Sequence, residues 1–155
     1  MSSNYVPEVM PSLPLTLAEA IARKEGWYTT PSSKDFPTRC QRNNNPGNIE
    51  YGTLSRNFGG ELETDTPARK RFAKFPTAQD GWRCLFALLH ESAYITQTIE
   101  QLLYRYAPPS ENATAAYIAD VVEWTGFPAT TTVGEALGHS GGDSGNGGSA
   151  GPSQA

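Results

Sequence analysis

The chain lacks any long apolar run: none approaches the roughly 18 residues that a bilayer-spanning helix needs, so membrane insertion is not expected. Cysteine and histidine are scarce. Cys40 and Cys84 are too few for a disulfide scaffold, and His90 and His139 are too few and too scattered for a metal site. Neither a metal nor an organic cofactor is expected. Positive charge is not in excess: Lys and Arg total 12 against 16 Asp and Glu, a net charge of −4, so no global positive field attracts nucleic acid. Residues 1–14 have no basic segment followed by an apolar stretch, so no secretory signal is expected there.

What is present suffices for a core: 37% of the 155 residues are hydrophobic and 10% aromatic. Three zones follow from composition. Residues 1–14, with Pro7, Pro11 and Pro14, read as an extension, and 15–137 as a single domain. Residues 138–155 are mostly Gly and Ser without a large apolar side chain, and read as a disordered tail.

The domain reads as mainly helical. Thr16 and Glu19 form a capping box for a first helix that Gly26 ends, and Ala18, Ile21, Ala22 and Glu25 share one face at helical spacing. Residues 28–46, rich in Pro, Ser and Asn, read as a loop. Asn48–Tyr51 and Arg71–Phe75 have strand character and are expected to pair antiparallel. A second helix starts at Thr77 with the stripe Trp82, Leu85, Phe86, Leu89. A third starts near Thr98 and stops at Pro108 and Pro109; a fourth runs from Asn112 or Thr114 to Trp124, with Tyr117, Ile118, Val121 and Val122 inward. The expected class is α+β, mainly helical, with a small antiparallel β element.

Glu25 is the first candidate for chemistry. A carboxylate on an apolar face is desolvated, and a helix C-terminus adds partial negative charge; both favour the protonated form. A carboxylic acid held protonated is what a glycosidase uses to protonate a leaving-group oxygen. The bland reading is an exposed glutamate at a helix rim. Trp27, Tyr28, Tyr51, Phe58 and Trp82 are aromatics that could lie flat against sugar rings, with core packing the simpler account of Trp82. Asn43, Asn44, Asn45 and Asn48 surround a Pro46-Gly47 turn, and their amides can both donate and accept. The run Arg69-Lys70-Arg71 with Lys74 reads more simply as the solvated face of a strand than as a polyanion site.

A set of blocks in fixed order carries a resemblance: Ala22-Arg23-Lys24-Glu25-Gly26-Trp27, Asn44-Asn45-Pro46-Gly47-Asn48-Ile49, Arg71-Phe72-Ala73-Lys74-Phe75-Pro76, Gly81-Trp82-Arg83, the stretch 104–112, and Ala116-Tyr117-Ile118. Across residues 17–124 the chain resembles the phage virion-associated lysozymes, within the lysozyme-like superfamily that also holds goose-type lysozymes and lytic transglycosylases. The resemblance implies a lysozyme-like fold and cleavage of the β-1,4 bond between N-acetylmuramic acid and N-acetylglucosamine in peptidoglycan. It implies Glu25 as catalytic acid and Tyr117 as the helix tyrosine whose hydroxyl orients it. It also implies the Gly47-Asn48-Ile49 segment as substrate-lining, with Asn48 as the glycan contact; Tyr51 and Glu50, near it in sequence, and Trp27 are the further substrate-binding candidates. Gly26 departs from the serine that soluble lytic transglycosylases carry after the glutamate.

Hydrolysis needs a second carboxylate or its equivalent, whereas a transglycosylase uses the substrate's own hydroxyl. Glu50, Glu61, Glu63, Asp65 and Asp80 are the candidates, and strand alternation would put Glu50 on the same face as Asn48. The expected partner is the peptidoglycan glycan strand, met at the bacterial cell wall by a monomer or a component of a virion or larger assembly. A virion, or another export route, would bring it there. The rival reading is a non-catalytic wall-binding or virion structural protein that keeps the fold without the reaction.

Overall fold

The computed structural model describes residues 5–110 and 112–138. Most of the expected tail, 139–155, lies outside the described residues, as does Glu111. Among the described residues the protein is mainly helical, 43% helix, with one two-stranded antiparallel sheet. The elements in order are α1 (Leu17–Glu25), α2 (Arg39–Arg42), α3 (Thr53–Arg56), β1 (Glu61–Leu62), β2 (Ala73–Lys74), α4 (Ala78–Leu89), α5 (Ser92–Ile95), α6 (Ile99–Tyr106), α7 (Thr114–Thr125) and α8 (Val133–Ala136). The chain divides into two compact units, one of residues 5–11 and 21–86, the other of 12–20 and 87–138. The stretch expected as one domain, 15–137, is thus shared between them.

The helix starts follow local chemistry. The amide of Thr16 donates to Glu19 Oε1 at 2.9 Å and the amide of Glu19 to Thr16 Oγ1 at 3.1 Å, a capping box. The same reciprocal pair opens α6 through Thr98 and Gln101, and α8 through Thr132 and Glu135. Asp80 accepts from the Thr77 hydroxyl at the start of α4. The loop expected over 28–46 contains the one-turn helix α2, capped by Thr38 and Gln41. The amide of Gln41 is buried and donates to the carbonyls of Trp27 and Thr29 at 2.9 and 2.8 Å, which ties that loop down.

The expected strand pairing exists as a single bridge, Glu50 opposite Phe72, with Tyr51 N donating to Arg71 O at 3.0 Å and Ala73 N to Ile49 O at 2.9 Å. The regular ladder lies on the other edge, where Glu61 and Leu62 of β1 face Lys74 and Ala73 of β2. Asn48 explains the shortness of the first pairing. Its φ of 48° is left-handed and breaks extended geometry one residue before Ile49.

In the first unit the buried side chains include Ile21, Trp27, Cys40, Phe75, Cys84 and Leu85. Burial pushes the Cys40 thiol up to about 12, so it behaves as a small apolar side chain rather than a nucleophile. Residues 5–11 belong to this unit: the Tyr5 ring meets Trp27 edge-on, centroids 6.5 Å apart, and Glu8 accepts from both indoles, Trp27 and Trp82. In the second unit α6 packs on α7 and α5 on α8. The buried stripe of α7 is Thr114, Tyr117, Val121 and Thr125, with Ile118 and Val122 only half-buried. The two threonines go inside because each hydroxyl donates to a backbone carbonyl, Thr114 to Ala107 and Thr125 to Val121.

Candidate active site

Glu25 is the last residue of α1, and the end of that helix is closely specified. Gly26 takes φ 101°, and Trp27 N donates back to Ala22 O at 3.0 Å while Gly26 N reaches Arg23 O at 3.1 Å, a Schellman-type closure that favours glycine. The start of α2 completes the cap. Thr38 Oγ1 donates to Gly26 O at 3.0 Å and Cys40 Sγ to Glu25 O at 3.4 Å. These bonds set the direction in which the half-buried Glu25 side chain leaves the helix.

The asparagine run supplies the facing turn, and each amide has its own duty. Asn43 Nδ2 donates to Glu63 Oε1 at 3.0 Å, and Asn44 Nδ2 to Phe75 O at 3.0 Å. Asn45, fully buried, donates to Ile49 O and Ala73 O, both at 2.9 Å, and accepts from Ile49 N at 2.9 Å. Asn48 closes the turn, its N–H donating to Asn45 O at 3.0 Å. Its side chain then reaches the site: Asn48 Nδ2 donates to Glu25 Oε1 at 2.9 Å. The first three amides hold backbone or the Glu63 carboxylate, and the fourth meets the candidate acid.

Helix α4 presses on this turn. A Cβ on Gly81 would stand 2.1 Å from Asn44 O and 2.7 Å from Pro46 Cδ, so only glycine lets the helix approach so closely.

Four of the five candidate second carboxylates carry other contacts. Glu63 is 1% exposed and takes Arg39 Nε at 2.9 Å, Arg39 Nη2 at 2.6 Å, Asn43, and the backbone N–H groups of Arg71 and Phe72 at 2.8 Å each. Burial raises its carboxyl, but the bonds from Arg39, Phe72, Asn43 and Arg71 outweigh that and hold it down at about 2. At neutral pH it is a structural anion. Glu50 pairs with Arg71 at 2.7 Å and Asp65 with Lys74 at 2.6 Å. Asp80 bonds Thr77 and pairs with Arg83 at 3.3 Å. Glu61 stands exposed on β1. These ion pairs also account for Arg71 and Lys74 of the basic run.

Two expectations are corrected here. Trp27 has 0% exposure and stands edge-on to Trp82, centroids 5.9 Å apart, so it is core and offers no face to a glycan. The alternation that would align Glu50 with Asn48 fails, because the left-handed Asn48 interrupts the strand. Tyr51 is 39% exposed, with the Arg56 guanidinium 5.8 Å from its ring centre. Tyr117 lies on α7 in the second unit and is 4% exposed. Glu8, and the roles of Asn45 and Glu63, escape sequence reasoning because the partners lie far along the chain, 19 and 74 residues away for Glu8, 28 to Ala73 for Asn45 and 24 to Arg39 for Glu63. Among the described residues no three His, Cys, Asp or Glu side chains gather as a metal site, and no helix is long and apolar enough to cross a membrane.

No protein-family model matches the chain. Over 112 residues it is 36% identical to Protein P5 of Pseudoalteromonas phage PM2, a match that covers 70% of this chain and 69% of that protein. The chain belongs to the Protein P5 family. P5 is a phage protein, and its name states a source but no reaction.

Proposed function

We propose that the protein is a peptidoglycan-cleaving muramidase of lysozyme-like fold in which Glu25 is the general acid. The observation that carries this reading is the meeting of Glu25 and Asn48 at 2.9 Å: two of the blocks that carry the resemblance, with these residues 23 positions apart, converge on one carboxyl. The half-buried position at a helix C-terminus, where an ionised carboxylate is disfavoured, suits a proton donor. The unit that holds Glu25 contains eleven of the twelve Lys and Arg residues and eight of the sixteen acidic ones, a net +3 in a chain whose net charge is −4. A net positive surround suits a polymer that bears carboxylates on its peptide stems. The P5 relative, a phage protein, supports delivery with a virion.

In this mechanism the Glu25 carboxyl gives its proton to the glycosidic oxygen as the bond from that oxygen to the sugar C1 breaks. The oxocarbenium-like centre is then captured by an oxygen nucleophile whose proton returns to the Glu25 carboxylate. Capture by the C6 hydroxyl of the same sugar gives a 1,6-anhydro end, and capture by water gives a reducing end. Because Glu63, Glu50, Asp65 and Asp80 are engaged elsewhere, the reading favours the intramolecular route, which needs no second carboxylate.

The test is mass spectrometry of soluble fragments released from purified peptidoglycan by the wild type and by Glu25→Gln. Anhydro-muramic ends from the wild type and none from the variant are expected. Reducing ends would instead make the protein a hydrolase. Equal activity of both proteins would remove Glu25 from the mechanism. Sedimentation with insoluble wall and no fragments from the wild type would support the binding or structural role.

A further inference from the structure

We propose that Asn48 is a positioning residue that couples the bound glycan to the acid: its Nδ2 fixes Oε1 of Glu25, and its Oδ1 accepts a hydrogen bond from a hydroxyl or acetamido N–H of the sugar. The inference deepens the muramidase reading and rests on it.

Three observations converge. The first is the bond itself, Asn48 Nδ2 to Glu25 Oε1 at 2.9 Å. An N–H on Oε1 makes that oxygen the acceptor, so the acidic proton is carried on Oε2 and points in one direction.

The second is the rigidity of the turn. Asn48 sits at φ 48°, a conformation that side chains other than Asn, Asp and Gly adopt at a cost. It is held there by the Asn45 carbonyl, while Asn45 itself is buried and triply bonded. The turn is therefore fixed before a substrate arrives, as a site that must be pre-organised requires.

The third is the other end of the same amide. Asn48 Oδ1 is buried from solvent and has no hydrogen-bond partner in the protein. A buried acceptor left unpaired is costly, and beside a catalytic carboxyl it is explained by a donor that arrives with the substrate. One amide then reads the sugar with its oxygen and aims the acid with its nitrogen.

Two substitutions separate these roles without disturbing the backbone, because both Gly and Asp accept φ near 50°. Asn48→Asp keeps an acceptor but exchanges the amide donor for a second carboxyl facing Glu25, whose charge also raises the Glu25 pKa; Asn48→Gly loses both amide ends and adds no charge. The expected result for Asn48→Asp is a near-normal KM with kcat lowered about 10- to 100-fold, the scale on which a misaimed catalytic group slows a reaction. Asn48→Gly is expected to lower kcat similarly and also to raise KM several-fold. Loss of a donor to the ionised carboxylate raises the pKa of Glu25. Glu25 acts while protonated, so the high-pH limb of the kcat profile moves to higher pH in Asn48→Gly, a change that a merely structural residue would not produce.

The same shift is read without turnover by carbon-13 NMR titration of the Glu25 carboxyl in the wild type and in Asn48→Gly. Wild-type kcat, pH limb and carboxyl titration in Asn48→Gly would overturn the positioning role, even with Glu25→Gln inactive. A wild-type KM in Asn48→Gly would mean that Oδ1 takes only a water and would overturn the sugar contact. Full activity of Glu25→Gln, by contrast, would overturn the muramidase reading itself. Should Asn48→Gly melt well below the wild type, its kcat and Glu25 carboxyl titration, both read below that melting temperature, decide the positioning role.

Discussion

The guanidinium of Arg39 grips the carboxylate of Glu63 with two hydrogen bonds, Nε to Oε1 at 2.9 Å and Nη2 to Oε2 at 2.6 Å. Arg39 belongs to α2, and Glu63 follows β1, so the pair ties the segment that caps α1 to the β hairpin. The Glu63 side chain is 1% exposed while Arg39 is 27% exposed, which makes this a mostly enclosed, bidentate pair rather than a surface contact.

Glu63 therefore governs acid stability. Its folded-state value of about 2 lies below the ordinary 4.5, so its contribution is fully present above about pH 4.5 and is lost as pH falls toward 2. At about 1.4 kcal/mol per pKa unit, roughly 3 kcal/mol is at stake. Glu63→Gln is expected to melt lower at pH 7 and to show a flatter loss of Tm between pH 4.5 and 2.5 than the wild type. Parallel melting curves over that window would assign the acid lability to other groups.

Glu8 is expected to lock the tryptophan pair. Both indole N–H groups donate to its Oε1, Trp82 at 2.9 Å, and the two rings meet edge-on at 83°. Glu8→Ala leaves two donors unpaired and should cost about 2 kcal/mol, whereas Glu8→Gln retains an acceptor and should cost less. Since the pair accounts for two of the three tryptophans, Glu8→Ala should shift emission to longer wavelength and weaken the near-ultraviolet circular dichroism. An unchanged spectrum would mean that residues 5–11 do not shield the pair in solution.

Gly81 is expected to be irreplaceable. An alanine methyl would overlap Asn44 O at 2.1 Å, and backbone cannot rotate away as a side chain can. Gly81→Ala should lower stability by about 2–3 kcal/mol. It should also reduce turnover well below its melting temperature, because the displaced turn is the one that presents Asn48. Wild-type Tm would show that α4 stands farther from the turn than the structure places it.

Helix starts and stops were legible because their determinants are local. Thr16 with Glu19, Thr98 with Gln101, and Gly126 after α7 act within four residues of one another, so spacing alone finds them. The short elements α2, α3, α5 and α8 escaped because four residues show no periodicity. The regular sheet escaped because its first strand has only two residues and lies between turns, and the eye goes instead to the more β-like Asn48–Tyr51. Trp27 misled for a different reason: an aromatic after a candidate acid reads the same whether it faces sugar or core, and only its enclosure by Tyr5, Trp82 and Glu8 separates the two.

By itself the sequence determined the helical class, the end of α1 at Gly26 and the choice of Glu25 and Asn48 as residues of interest, because each depends on residue type and on neighbours within a turn or two. Only the tertiary structure decided what the asparagines do. Four similar amides in six residues divide into three that bind backbone or Glu63 and one that binds Glu25. That division depends on where β2, α1 and the buried Glu63 lie around the turn, and long-range packing sets those positions. The same packing left Asn48 with one amide end engaged and the other buried and unpaired.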